Sequence, residues 1–256
     1  MITQNEASLP QASARPGAPV QDGTVDMLLT FADSLSTEER TALRSLMCVI
    51  TQQVCPAGEF PSDPVQLARF RQALMVLGTI QRHPRMTSNG VIYRGRPAFL
   101  TDDFLTALQR EANEEVRPRA IWQRGHMLGV SGTLADKLAM SPEMQTLIEQ
   151  ASGPINATGV ASYLFYEVEG AGVSAHVDTE VFSINVSIML RHEGIHRRSR
   201  LFIFNMDGMQ REDIELVPGE MIVTFGDSIV HGRSPLAAGE LVNIVTFGYQ
   251  PANWVA

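Results

Sequence analysis

Cysteine, lysine and long apolar runs are what this 256-residue chain has least of. Its two cysteines, Cys48 and Cys55, lie seven residues apart in or beside a helical stretch, where two turns separate them by roughly 10 Å. A disulfide needs Cα atoms within about 7 Å, so the pair argues for free thiols and a reducing, cytoplasmic setting. No run approaches the roughly 18 apolar residues of a membrane span, and residues 1–22 lack the apolar core of a secretory signal, so no membrane association is expected. The single lysine stands against 19 arginines, a coding bias more than a chemical signal. With a net charge of −8 and no basic stripe interleaved with aromatics, nucleic acid is not an expected partner. The short basic cluster His196-Arg197-Arg198-Ser199-Arg200 reads as a solvated loop. Ser-His-Asp arrangements, phosphate-cradling glycine loops and CxxC pairs are all missing, which leaves hydrolase, nucleotide-binding and structural-zinc readings unsupported.

What is present is the composition of a packed globular protein, 44% hydrophobic and 19% charged, long enough for one β-rich domain with helical additions. Residues 1–22 read as a mobile tail. Residues 23–90 read as a helical N-terminal region packing on the core. Met27, Leu28, Phe31 and Leu35 share one side of a first helix; Ser36-Thr37-Glu38-Glu39 is a capping box opening a second, through about Val54. Ser62-Asp63-Pro64 caps a third, to about Gln81, with Leu67, Phe70, Leu74 and Leu77 as its buried stripe. Residues 91–256 carry the β pattern. There, Val91-Ile92-Tyr93 and Ala98-Phe99-Leu100 look like short strands leading into a helix capped by Thr101, and Ser141-Pro142-Glu143 opens another that ends near Gly153. Between these helices, Ile121 to Gly132 holds Trp122, Arg124, His126 and Met127 among glycines, the composition of a loop and a candidate substrate lid.

The chemistry concentrates at His176-Val177-Asp178, followed 53 residues after Asp178 by His231. Successive strand residues point to opposite faces, so His176 and Asp178 share one face while Val177 turns away. Two imidazoles and a carboxylate can cap one face of a metal and leave other positions open, the ligand set of non-haem Fe(II) oxygenases. The intervening strand-like runs, Phe182 to Leu190, Leu201 to Asn205, Ile214 to Val217 and Met221 to Phe225, are enough chain to cross a β-sandwich several times and return.

Taken with Phe165-Tyr166-Glu167, Asn185 to Leu190, the Leu216-Val217-Pro218-Gly219-Glu220-Met221-Ile222-Val223-Thr224-Phe225 run and Val242 to Tyr249, this pattern resembles the Fe(II)/2-oxoglutarate-dependent dioxygenases over roughly residues 91 to 250. The resemblance implies a mainly β fold with α additions: a double-stranded β-helix, or jelly roll, under an N-terminal helical layer. It also implies His176, Asp178 and His231 as catalytic metal ligands, with Fe(II), 2-oxoglutarate and O2 as cofactors and a small molecule as substrate. An aspartate at position 178 favours hydroxylation, desaturation or ring formation over halogenation, where related enzymes replace that carboxylate with a small residue.

One departure concerns the cosubstrate. Most members of that family carry an arginine about ten residues after the distal histidine, whose fork grips the far carboxylate of 2-oxoglutarate. This chain reads Gly239-Glu240-Leu241-Val242-Asn243 there. Arg233 is the sole cation after His231 and is set aside as too close to the metal ligand. Arg191, 15 residues beyond His176 at the end of the strand after His-x-Asp, becomes the first candidate, with Tyr166 as hydrogen-bonding companion and Arg200 as the second. Among the other histidines, His83 suits a helix C-terminus, and His192 and His196 flank Glu193 in a turn whose arginines suit a cation poorly. Two alternatives stay open: an Fe(II) oxygenase or oxidase that does not use 2-oxoglutarate, and a non-catalytic jelly-roll metal-binding protein. Substrate identity and oligomeric state are not legible.

Overall fold

The computed structural model describes residues 23–54, 63–79, 87, 89–123, 125–204 and 210–252. The expected N-terminal tail, Cys55 and with it the thiol pair, His83, Arg124 and Asn205 lie outside them. Three helices come first: α1 (Gly23–Ser34), α2 (Thr37–Val54) and α3 (Pro64–Thr79). The capping box forms as expected, with Ser36 N–H donating to Glu39 Oε2 at 2.9 Å and Glu39 N–H to Ser36 Oγ at 3.3 Å. Asp63 caps α3 by accepting from Gln66 N–H at 2.8 Å.

The strands follow, with helices between them: β1 (Val91–Gly95), α4 (Asp102–Arg110), β2 (Ile121–Gln123), β3 (His126–Val130), α5 (Thr133–Ala139), α6 (Pro142–Ser152) and β4 (Ile155–Tyr166). After these come β5 (Val173–His176), β6 (Ile184–Glu193), β7 (Leu201–Phe204), β8 (Arg211–Ile214), β9 (Met221–Thr224), β10 (His231–Arg233) and β11 (Leu241–Pro251). Thr101 and Ser141 cap α4 and α6 through bonds from Phe104 and Met144 N–H. Two expectations fail. Residues 98–100 form a turn in place of a strand, closed by Leu100 N–H on Pro97 O. The loop expected between 121 and 132 is a β-hairpin, because β3 pairs along β4 and carries β2 with it to the sheet edge.

All pairings among the described strands are antiparallel. A seven-stranded sheet runs β1-β9-β6-β11-β4-β3-β2 and a four-stranded sheet β5-β10-β7-β8. They enclose one cavity, the arrangement of a jelly roll. Strand β11 and the second half of β4, from Ala161, are largely buried on both faces, and alternation sorts their side chains. Ser162, Leu164, Tyr166, Ile244 and Thr246 line the cavity. Tyr163, Phe165, Val245, Phe247 and Tyr249 turn to the other face, where α4–α6 cover them. Buried Glu111 ties that layer together, accepting from Leu134 and Ala135 N–H at the start of α5 and from the Tyr163 hydroxyl at 2.6 Å. The outer face of the small sheet is covered by the N-terminal helices: Phe70 of α3, with Met47 of α2, packs on Ala175, Val177, Phe202, Phe204 and Val230.

Candidate metal centre

Strand β5 delivers the first half of the site. Ala175 and Val177 point into the helix-facing cluster, whereas Ser174, His176 and Asp178 point into the cavity. Strand β10 pairs antiparallel with β5 and sets His231 directly opposite His176. Local alternation and one cross-strand register thus bring the three side chains together. Their ligand atoms all lie within 4.8 Å of one another. His176 Nε2 is 3.4 Å from Asp178 Oδ1, His231 Nε2 is 3.4 Å from Asp178 Oδ2, and the imidazole centroids are 4.5 Å apart.

Both imidazoles are oriented from behind. His176 Nδ1 meets Ser174 O at 2.8 Å and His231 Nδ1 meets Ile229 O at 2.9 Å. A carbonyl can only accept, so Nδ1 carries the proton and Nε2 is left as the ligand atom. Asp178 is fixed at its backbone by N–H donation to Gly226 O at 2.7 Å, and its Oδ2 accepts from Asn185 Nδ2 at 2.7 Å. Position 226 has room only for glycine: a Cβ there would sit 2.3 Å from Asp178 Oδ2 and 2.7 Å from Phe182 O. Burial alone would raise the Asp178 pKa, but the charges and hydrogen bonds of His231 and His176 hold it well below the usual carboxylate range. Burial likewise opposes protonation of His231, yet Asp178 beside it and the Ile229 carbonyl hold its pKa above the ordinary imidazole value. The carboxylate therefore draws a positive charge to the place where a metal would sit.

The cavity measures about 640 Å³ and is lined by both sheets. Among its described lining residues the only arginine or lysine is Arg233, which is 4% exposed. It lies two residues beyond His231 on β10, so the alternation that pairs His176 with Asp178 also puts Arg233 on the His231 face. Proximity in sequence, taken above as a reason to set Arg233 aside, is what brings it into the cavity. Its guanidinium lies over the Tyr166 ring, 5.4 Å from the centroid, and donates to Ser199 Oγ at 3.2 Å. No carboxylate forms an ion pair with it among the described residues. Burial lowers its pKa, offset by Tyr166 and by Glu240. Burial pushes Tyr166 up to about 12, with Arg233 pulling the other way.

Arg191 is elsewhere. Met189 faces Ile244 and Arg191 faces Asn243, so two residues of β6 span one step of β11, with Leu190 as the extra residue of a bulge. Without that insertion Arg191 would share the face of Asn185 and Ser187, which line the cavity. With it, Arg191 sits in a separate cavity beside Gln109, Asn113 and Asn243 and pairs with Glu193 at 2.6 Å. Arg200 also lies outside the metal cavity, paired with Glu215 at 3.1 Å. Tyr166, the third expected cosubstrate residue, does line it. His192 is not at a metal cluster: it is buried against Glu240 Oε1 at 2.7 Å. Glu240 Oε1 also accepts from Ser199 N–H and Oε2 from Ala237 N–H. The turn that lacks an arginine thus carries a buried acid that braces Ser199, the hydroxyl on Arg233.

Two further polar residues face the cavity: Asn185, from the Asn185 to Leu190 strand, and His126, from the glycine-rich stretch between 121 and 132. His126 is buried beside Tyr166, 5.2 Å between ring centroids, with no hydrogen-bond partner for Nδ1 among the described residues. Burial, with the charge of His176, pushes its pKa down to about 4, so it stands neutral in the cavity wall.

No protein-family model matches the chain, and no curated protein matches it. Solved structures do match in fold. The chain is similar to the non-haem α-ketoglutarate-dependent carbocyclase SnoK from nogalamycin biosynthesis, with a TM-score of 0.53 and 11% identity over 86% of each chain. The epimerase SnoN from the same biosynthesis gives a TM-score of 0.52 at 16% identity, covering 74% of this chain and 84% of that one. HygX from Streptomyces hygroscopicus, solved with nickel, 2-oxoglutarate and hygromycin B bound, gives 0.51 at 9% identity over 66% and 85%. At these identities the likeness is one of fold, and the fold is the double-stranded β-helix.

Proposed function

We propose that the protein is a non-haem Fe(II) oxygenase that uses 2-oxoglutarate and O2 to oxidise a small molecule. The observation that carries this reading is one cavity holding both the His176, Asp178 and His231 cluster and a buried guanidinium, that of Arg233, without an ion-pair partner among the described residues. The donor set suits the metal: two imidazoles presenting Nε2 and one carboxylate occupy a single side and leave the rest open. Arg233 suits the cosubstrate. A guanidinium has five donors, and among the described residues this one has the Ser199 hydroxyl as hydrogen-bond acceptor and the Tyr166 ring against its face. Leaving such a charge buried and unpaired is unfavourable by several kcal/mol, and a carboxylate relieves that. Similarity in fold to the α-ketoglutarate-dependent SnoK and SnoN, and to HygX solved with 2-oxoglutarate bound, points the same way.

In this reading His176, Asp178 and His231 hold Fe(II), and Arg233 with Tyr166 binds the far carboxylate of 2-oxoglutarate in place of Arg191 and Arg200. Bound iron would supply the site at which O2 is reduced while 2-oxoglutarate becomes succinate and CO2. The protein's own part is to bind and orient: the Ser174 and Ile229 carbonyls fix the imidazoles, and the two sheets line the cavity on either side. With Asp178 in the carboxylate position, the expected outcomes are hydroxylation, desaturation or ring formation, not halogenation. A volume of about 640 Å³ suits a small-molecule substrate beside the cosubstrate. The scarcity of cysteine supports a cytoplasmic setting; no helix among the described residues is long and apolar enough to cross a membrane.

The deciding experiment is an anaerobic Fe(II) titration with and without 2-oxoglutarate. A weak visible charge-transfer band that needs both, followed by succinate formation on admitting O2, is the expected result. Tight metal binding with no such band and no O2 consumption would overturn the reading in favour of a non-catalytic metal-binding protein.

A further inference from the structure

We propose that Asn185 is a positioning residue that keeps Asp178 a one-oxygen metal ligand, an inference that rests on the iron and 2-oxoglutarate reading above. The two carboxylate oxygens of Asp178 are not equivalent. Each faces one imidazole, Oδ1 at 3.4 Å from His176 Nε2 and Oδ2 at 3.4 Å from His231 Nε2, but among the described residues only Oδ2 accepts a side-chain amide hydrogen bond, from Asn185 Nδ2 at 2.7 Å. Asp178 Oδ2 can only accept, so the Asn185 amide turns its nitrogen to Asp178 and leaves its oxygen to accept from Ser187 Oγ at 3.4 Å. The carboxylate cannot swing out of this grip. Its residue is tethered by N–H donation to Gly226 O, and Gly226 closes on Oδ2 so tightly that a Cβ would lie 2.3 Å away.

The consequence is a count of coordination positions. A carboxylate that grips a metal with both oxygens takes two of them. Held at Oδ2, Asp178 offers one, and the triad then leaves three: two for a chelating 2-oxo acid and one for O2. Asn185 would do this without being a ligand: its N–H draws electron density from Oδ2 and leaves Oδ1 the better donor to the metal.

The test uses Asn185→Leu, nearly the same size without the donor, and Asn185→Ala as a smaller second variant. Melting of the metal-free proteins establishes that they fold. Each is loaded with Co(II) for its visible d–d spectrum, assayed for metal affinity by chelator competition, and titrated anaerobically with Fe(II) and 2-oxoglutarate. We expect undiminished metal affinity, a Co(II) spectrum altered from wild type, and a 2-oxoglutarate dissociation constant raised by about tenfold. Wild-type Co(II) spectra and 2-oxoglutarate affinity in both variants would overturn the proposal. So would metal and 2-oxoglutarate affinity falling together with the metal-free melting temperature, since that is the signature of a merely structural residue. Absence of the chelate band in the wild type would refute the functional reading instead, and the Co(II) spectra would then decide the role of Asn185 alone.

Discussion

Replacing Arg233 by leucine separates anion recognition from metal binding. In the ligand-free protein this guanidinium is buried, touches the Ser199 hydroxyl and the Tyr166 ring, and has no ion-pair partner among the described residues, so its removal should leave the melting temperature unchanged or raised. With 2-oxoglutarate bound, the same change leaves a buried carboxylate without its cation. Truncating one partner of such a pair costs roughly 2–5 kcal/mol, which corresponds to a dissociation constant raised by about 30- to 5,000-fold. Arg233→Lys keeps the charge but loses the fork and should fall in between. Arg191→Leu is the control: that side chain is about a third exposed and paired with Glu193, so its loss should move binding by less than about 0.5 kcal/mol. The assay is the anaerobic band titration, with Fe(II) affinity measured separately by competition and expected to survive in every variant. Wild-type 2-oxoglutarate affinity in Arg233→Leu, or a large loss in Arg191→Leu, would refute the assignment.

Single alanine substitutions of His176, Asp178 and His231 should each remove most of the metal affinity; full iron-dependent turnover in all three would show that they are not the ligands. Metal affinity should fall with pH, because Asp178 and the Ile229 carbonyl hold the pKa of His231 above its ordinary value against the effect of burial, and protons then compete for Nε2. In the metal-free protein the same shift contributes stability that is complete below the unfolded imidazole value and is lost as pH rises through the folded one, so metal-free melting temperatures across pH check the sign. Asp178→Gly removes a balancing charge and opens a position that chloride can take, so product analysis in chloride buffer should differ from wild type, and an unchanged product and rate would show that Asp178 is not a ligand. Gly226→Ala forces a methyl against Asp178 Oδ2 and Phe182 O, with an expected loss of roughly 1–3 kcal/mol in thermal unfolding and weaker metal binding; a wild-type melting curve would show that the loop gives way freely.

The residues that sequence alone placed are those governed by short-range rules. The capping bonds of Ser36 with Glu39, of Thr101 and of Ser141 depend on three or four neighbours, and all form. Whether His176 and Asp178 share a face depends only on strand alternation, and Val177 indeed turns to the opposite, helix-facing cluster. What sequence could not decide was register between strands far apart in the chain. Arg191 obeys alternation until the bulge at Leu190, and that extra residue is visible only where β6 pairs with β11. The hairpin at 121–130 reads as a glycine-rich loop because its order comes from β4, more than thirty residues downstream. Arg233 needed both kinds of information: alternation put it on the His231 face, but only the closing of one sheet over the other made that face the wall of a cavity. There Tyr166, Ser199 and a buried Glu240 can carry a charge that water would otherwise have to solvate.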